Sequence, residues 1–341
     1  MEKKDSNVKE EDKEVAASNV DIILKDLESL SSIDSKIASQ LRAAGYTTIE
    51  SIAVSPPREI MEKTKLGFND ILEIQEEARS LFQTDFKTAL EYYEMRKALR
   101  KCTTGCNSLD KILGGGIETQ AVTELIGEYG TGKTQICLTL SVTAQLPIEK
   151  GGLEGNVAFI DTEGTFMPER IYQIASAKDM DPQTAANNIL VARAYNSAHQ
   201  CILIDGLFKL VPENNIKLVI VDSMISHFRG EYFGRENLAD RQQKLNQYLH
   251  KLIRLAEAYN IAVVITNQVQ ANPSGNFYGD PNRPAGGNVM AHACTHRVML
   301  RRGSKGTRVA TVIDSPSLPE EKARFRITEK GVEDAAEKPE K

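Results

Sequence analysis

Gly127, four further residues (Glu128, Tyr129, Gly130, Thr131) and then Gly132-Lys133-Thr134-Gln135 form the feature that leaves this chain the fewest folds. The segment follows an apolar run at 122–126 and opens a second at 136–142, the order of strand, glycine loop and helix that a P-loop needs. Glycines let backbone N–H groups turn inward around phosphate oxygens, and the start of the following helix adds the positive end of its dipole. Lys133 is placed to meet β- and γ-phosphates, and Thr134 to offer a hydroxyl to Mg²⁺. The bland reading of the same residues is a glycine-rich turn.

Short β-rich runs at 122–126, 156–160, 218–222, 261–266, 297–300 and 309–313 alternate with helical stretches, which predicts an α/β domain from 102 onward. Leu218-Val219-Ile220-Val221 is the near-continuous apolar strand of a parallel sheet covered on both faces. Asp222 ends that run at the carboxyl edge, where such sheets bind ligands. It reads as a Mg²⁺-holding aspartate or, more plainly, as an N-cap. The run at 156–160 ends in Asp161-Thr162-Glu163-Gly164-Thr165, and Glu163 is the candidate general base, which spacing alone does not decide. Asn267 and Gln268, after 261–266, are either amides that sense the γ-phosphate or satisfied turn residues.

With 41% hydrophobic and 26% charged residues, the chain has the composition of an ordinary globular protein. No run of 18 apolar residues occurs and residues 1–20 are charged, so no membrane partner and a cytoplasmic location are expected. Five scattered cysteines argue for reduced thiols rather than a disulfide framework or a zinc site. The expected division is an acidic, disordered tail at 1–20, a helical domain at 21–82, a linker at 83–101, the α/β core at 102–334 and a second disordered tail at 335–341. The linker contains Phe86-Lys87-Thr88-Ala89, in which Phe86, read alone, is an ordinary core residue.

An excess of 47 acids over 42 bases argues against nucleic acid until its distribution is examined. Residues 281–313 carry six bases (Arg283, Arg297, Arg301, Arg302, Lys305, Arg308) and no acid. Residues 229–254 carry six bases, Arg229, Arg235 and Arg241 among them, against three acids. Two glycine-containing loops, at 227–235 and 269–288, overlap these regions and carry aromatic residues, Phe233 in one and Phe277 and Tyr278 in the other. That mixture suits phosphate contacts and loose base stacking on a single strand. The bland reading is a solvated basic face.

Together the motifs Leu113-Gly114-Gly115-Gly116-Ile117-Glu118-Thr119, Phe159-Ile160-Asp161-Thr162-Glu163-Gly164-Thr165-Phe166, Asp240-Arg241-Gln242-Gln243, Thr266-Asn267-Gln268-Val269 and Asp314-Ser315-Pro316-Ser317-Leu318-Pro319-Glu320 resemble the RecA-fold strand-exchange recombinases, the archaeal RadA recombinases and their eukaryotic relatives among them. The resemblance implies a RecA-like P-loop ATPase core with a small all-α helix-hairpin-helix N-terminal domain. It implies Glu163 as catalytic glutamate, Gln268 as γ-phosphate sensor, Arg170 over the adenine, and a cap from Ser315 to Glu320, Pro316 within it, that covers ATP on a neighbouring subunit. It also implies Phe86 and Ala89 as polymerisation anchors, and Arg229, Arg235, Arg241, Phe277, Gly286 and Gly287 as DNA-binding positions. The expected activity is DNA-dependent ATP hydrolysis with Mg²⁺, by a homo-oligomer (filament or ring) that assembles on single-stranded DNA and pairs it with homologous double-stranded DNA. A non-exchanging paralogue or mediator is the alternative, and a hexameric motor a further one. The first hairpin, Leu30-Ser31-Ser32-Ile33-Asp34, lacks the glycines that bring backbone amides to phosphate.

Overall fold

The computed structural model describes residues 27, 30–46, 49–81, 88–232, 234, 237–271 and 282–335. The expected tails at 1–20 and 335–341 lie outside them, except residue 335. The chain divides into two compact units, 1–94 and 95–341.

The described part of the first unit contains helices α1 (Ser35–Ala43), α2 (Ile49–Val54), α3 (Pro57–Lys63) and α4 (Phe68–Leu81). The Asp34 carboxylate caps α1 by accepting the Ile37 N–H at 2.7 Å. Gly45, at φ +90°, lets the chain reverse so that the Tyr46 N–H reaches the Leu41 carbonyl. Leu30, Leu41, Ile49, Ile52, Ile60, Ile71 and Ile74 close a small core. The Gln75 amide crosses it, donating to the carbonyls of Ile52 (2.7 Å) and Ser55 (2.6 Å). Helix α5 (Ala89–Lys97) follows with no buried residue.

The second unit begins with β1 (Lys101–Cys102), α6 (Asn107–Ile112), β2 (Ile117–Glu118), β3 (Ala121–Gly127), α7 (Lys133–Thr143) and β4 (Asn156–Asp161). Next come α8 (Pro168–Ala177), α9 (Pro182–Asn187), β5 (Ile189–Arg193), α10 (Ser197–Glu213) and β6 (Ile216–Asp222). Then follow α11 (Ser226–Glu231), α12 (Leu238–Ala258), β7 (Ala262–Asn267), β8 (Val269–Ala271), β9 (Asn282–Pro284) and α13 (Gly287–Ala293). Strands β10 (His296–Arg302), β11 (Arg308–Asp314), β12 (Lys322–Thr328) and β13 (Gly331–Asp334) complete it. Nine strands form one sheet in the order β13-β12-β11-β10-β3-β7-β6-β4-β5. Pairing is parallel from β10 to β5 and antiparallel from β10 outward to β13.

Alternation along the central strands divides the core between two faces. Leu218 and Ile220 of β6 join Val264 of β7 and Phe159 of β4 beneath α7 and α8. Val219, Val221, Val263 and Ile160 pack on the other side with Leu249, Leu252 and Leu255 of α12. Burial on both faces explains why these strands are apolar without interruption. Because β3, β4, β6 and β7 are parallel, Gly127, Asp161, Asp222 and Asn267 all end at one edge. The five cysteines are buried free thiols. No helix among the described residues is long and apolar enough to cross a membrane.

Candidate active site

The loop from β3 to α7 needs its glycines for two reasons. Gly130 (φ +76°) and Gly132 (φ +105°) lie in the left-handed region, and a Cβ on Gly127 would come within 2.5 Å of Thr131 Oγ1 and 2.7 Å of the Leu300 carbonyl oxygen. Thr131 is buried and its hydroxyl donates to the Glu128 carbonyl, whereas Tyr129 is 90% exposed at the apex. Arg302 donates to the Tyr129 carbonyl at 2.8 Å and Arg308 to the Gly130 carbonyl at 3.2 Å, so the hairpin β10–β11 braces the loop from outside.

Inside the loop, Lys133 Nζ donates to the carbonyls of Gly127 (2.8 Å) and Glu128 (3.0 Å). Burial lowers its pKa, and the charges of Asp222 and Glu163 oppose that shift. The Thr134 hydroxyl donates to Asp222 Oδ2 at 2.7 Å, and Thr266 donates to Oδ1 at 2.5 Å. Asp222 is 2% exposed; burial raises its pKa against those two hydrogen bonds. A glycine cradle with an ammonium fits a chain of phosphates, and the all-oxygen pair Thr134–Asp222 fits a hard divalent cation such as Mg²⁺.

Glu163, on the loop after β4, is exposed, and its Oε1 accepts from Gln268 Nε2 at 2.8 Å. Gln268 Oε1 in turn accepts from Arg229 of α11 at 3.1 Å. Three side chains singled out in the sequence are thus one chain of hydrogen bonds drawn from three segments. Arg170 Nε donates to Gln135 Oε1 at 2.9 Å, while its other nitrogens reach the carbonyls of Thr328 and Glu329. That places Arg170 against the first turn of α7. Pro316 lies elsewhere: it follows β11, whose Asp314 pairs with Arg297 near the start of β10, at the sheet edge opposite the P-loop.

Among the candidate DNA positions, Arg241 is half-buried at the start of α12 and its Nε has no hydrogen-bond partner among the described residues. Gly286 (φ +85°) and Gly287 (φ +62°) begin α13, where a Cβ on Gly287 would sit 3.7 Å from Gln242. The two basic regions therefore meet at the start of α12. Arg235, Phe277 and Phe86 lie outside the described residues, and Ala89 is exposed at the start of α5.

Two residues at the site, Asp161 and Glu124, were not foreseen. Asp161, one residue beyond the apolar run at 156–160, turns its carboxylate onto the Glu163 loop. Glu124, fully buried in β3, accepts from Arg297 Nε (2.6 Å) and from Asn267 Nδ2 (2.6 Å). Asn267 also donates to the Ala285 carbonyl at 2.7 Å, fixing the chain just before Gly286. The signal for Glu124 was available: a lone acid in an apolar strand requires a buried partner.

The Rad51 family model matches residues 95–335, all but the last six residues of the second unit. The chain is also similar to a DNA repair and recombination protein RadA from Aeropyrum pernix, with 50% identity over 311 residues, covering 91% of this chain and 97% of that one. Both matches span the P-loop, the Glu163–Gln268–Arg229 chain and the β10–β11 hairpin, and with that extent and identity the chain belongs to the Rad51 family, on its archaeal RadA branch.

Proposed function

We propose that this chain is a DNA-dependent ATPase of homologous recombination, which assembles as an ATP-bound filament on single-stranded DNA and exchanges that strand with homologous duplex. Membership of the Rad51 family and the repair and recombination role named for the Aeropyrum relative support the recombination part. The observation that carries the coupling to DNA is the hydrogen-bond chain Glu163–Gln268–Arg229, which joins the phosphate site to the first basic region.

In this reading residues 127–135 wrap the phosphates, with Thr134 and Asp222 holding Mg²⁺ and Lys133 exchanging its carbonyl partners for phosphate oxygens. ATP with its metal supplies the bond to be broken. Glu163 orients a water and takes its proton, a role worth about 10²- to 10⁴-fold in rate. Gln268 reports on that carboxylate, and Arg229, Arg235, Arg241, Phe277 and the 286–287 turn hold single-stranded DNA. Phe86 and Ala89 join protomers. The position of Pro316 at the opposite sheet edge supports a cap that serves a neighbour's nucleotide rather than its own. The first unit is the helix-hairpin-helix domain, but its first hairpin does not offer amides to duplex: the Ser31 and Ser32 N–H groups already donate to Glu77, at 2.5 and 2.8 Å.

Two variants separate binding from chemistry. Lys133→Ala should lose nucleotide binding, whereas Glu163→Gln should bind ATP like the parent and hydrolyse it at least about 100-fold more slowly with single-stranded DNA present. Parental turnover by Glu163→Gln would refute the assignment of the base.

A further inference from the structure

The sequence contains two carboxylates at the end of β4, Asp161 and Glu163, and only the second has been given a role. Asp161 is 4% exposed, yet it sits at the carboxyl edge of the sheet, in register with Asp222 of β6. Its Oδ1 accepts the N–H groups of Glu163 (3.0 Å), Gly164 (2.7 Å) and Thr165 (3.3 Å), and its Oδ2 accepts that of Phe166 (3.2 Å). Arg193 of β5 adds an ion pair at 3.1 Å. Four consecutive amides on one carboxylate make a nest, in which the chain curls around a fixed negative charge.

The surroundings prevent the nest from relaxing. Gly164 turns at φ +74°, and a Cβ there would lie 3.0 Å from Arg193, so the guanidinium closes the loop from below. The Phe166 ring packs edge-on against Phe159, with centroids 5.0 Å apart, which ties the far end of the loop to the core. The Glu163 side chain projects outward from this frame to Gln268. Asp161 is too enclosed by these donors to serve as a base. Its chemistry is to hold a backbone still.

We propose that Asp161 is the positioning residue of the ATPase site, its carboxylate fixing the 163–166 backbone so that Glu163 is held at the reach that hydrolysis requires. This rests on the reading of Glu163 as general base. A displacement of about 1 Å in a reacting group can cost about 100-fold in rate, so a loosened nest should act on turnover while leaving affinity for the nucleotide alone.

The test is the ATPase activity of the full chain with saturating single-stranded DNA, for Asp161→Asn, Glu163→Gln and the double variant. Asparagine keeps the shape, but it removes the charge and leaves only one oxygen for five donors. Asp161→Asn should lower kcat by about 10- to 100-fold, with nucleotide Kd within about 2-fold of the parent. The double variant should be no slower than Glu163→Gln alone, because Asp161 acts only through Glu163. Parental kcat in Asp161→Asn alongside a slow Glu163→Gln overturns the positioning role and leaves the base intact. Losses that multiply in the double variant also overturn it, since Asp161 would then act on something else. Parental turnover by Glu163→Gln removes the base itself and the proposal with it. If Asp161→Asn does not fold, Gly164→Ala strains the same loop from the Arg193 side: kcat lowered at least about 5-fold with unchanged Kd supports the proposal, and unchanged kcat overturns it.

Discussion

At the scale of single residues, the P-loop is where sequence and structure agree most simply. The requirement is local: glycines for the turn, a lysine and a hydroxyl at the helix start. The basic residues of 281–313 were less legible. Counted together they resemble a nucleic-acid footprint, but Arg297 is buried against Glu124, and Arg302 and Arg308 hold carbonyls of the P-loop. A charge count cannot distinguish a cation that faces solvent from one that neutralises an acid brought in from another strand. Glu77 shows the same limit. The Ser32 hydroxyl, with the Ser31 hydroxyl and two amides, holds its carboxyl down at about 2 from 4.5, against some desolvation. A carboxyl depressed by folding contributes stability above its unfolded pKa and loses it as pH falls toward the folded one. Thermal melting should therefore show parental protein more stable than Glu77→Gln at pH 6, with the gap closing from about pH 4.5 to about pH 2. A gap that stays constant over that range would contradict the Glu77 latch.

Among the elements, the central strands were readable because burial on both faces forces continuous apolar runs. Two of the missed strands, β12 and β5, are half-exposed. In β12, Lys322, Arg324 and Arg326 alternate with Ala323, Phe325 and Ile327, so the period of two is present but its charged half hides it from a search for apolar runs. Strand β5 lies at an edge of the sheet and is likewise half-exposed. A buried pair between Glu124 of β3 and Arg297 of β10, joined by Asn267 of β7, ties three strands together. Burial pushes the Glu124 pKa up, and Arg297 and Asn267 pull it back. Removing one partner strands the other charge in the core, at a cost of about 3–5 kcal/mol. Glu124→Ala should therefore lower the urea stability of the second unit by about that much, while Glu124→Met with Arg297→Met should recover most of it. A loss below about 1 kcal/mol for Glu124→Ala would mean that Arg297 finds water or another acid.

For the whole molecule, the sequence made the recombinase reading possible through the order of its motifs, because their spacing fixes which loops meet at one sheet edge. Assembly was less legible, since an interface residue and a core residue have the same composition. Helix α5 illustrates this: Leu90 is 69% exposed, and no residue of the helix is buried among the described residues. We propose that Leu90, with Phe86 and Ala89, is covered by the next protomer. Phe86→Glu, which asks an apolar pocket to bury an unpaired carboxylate, should abolish the rise in light scattering with ATP and single-stranded DNA while leaving nucleotide binding within about 2-fold of the parent. Assembly like the parent would remove Phe86 as the anchor.

The most direct measurement is strand invasion: joint-molecule formation between labelled single-stranded DNA and homologous supercoiled duplex, with ATP, with a non-hydrolysable analogue, and with no nucleotide. Joint molecules should form with ATP, require homology, persist with the analogue in Glu163→Gln, and vanish without nucleotide or in Lys133→Ala. Binding of ATP and DNA by the parent with no joint molecules under any of these conditions would contradict the account and leave a non-exchanging paralogue in its place.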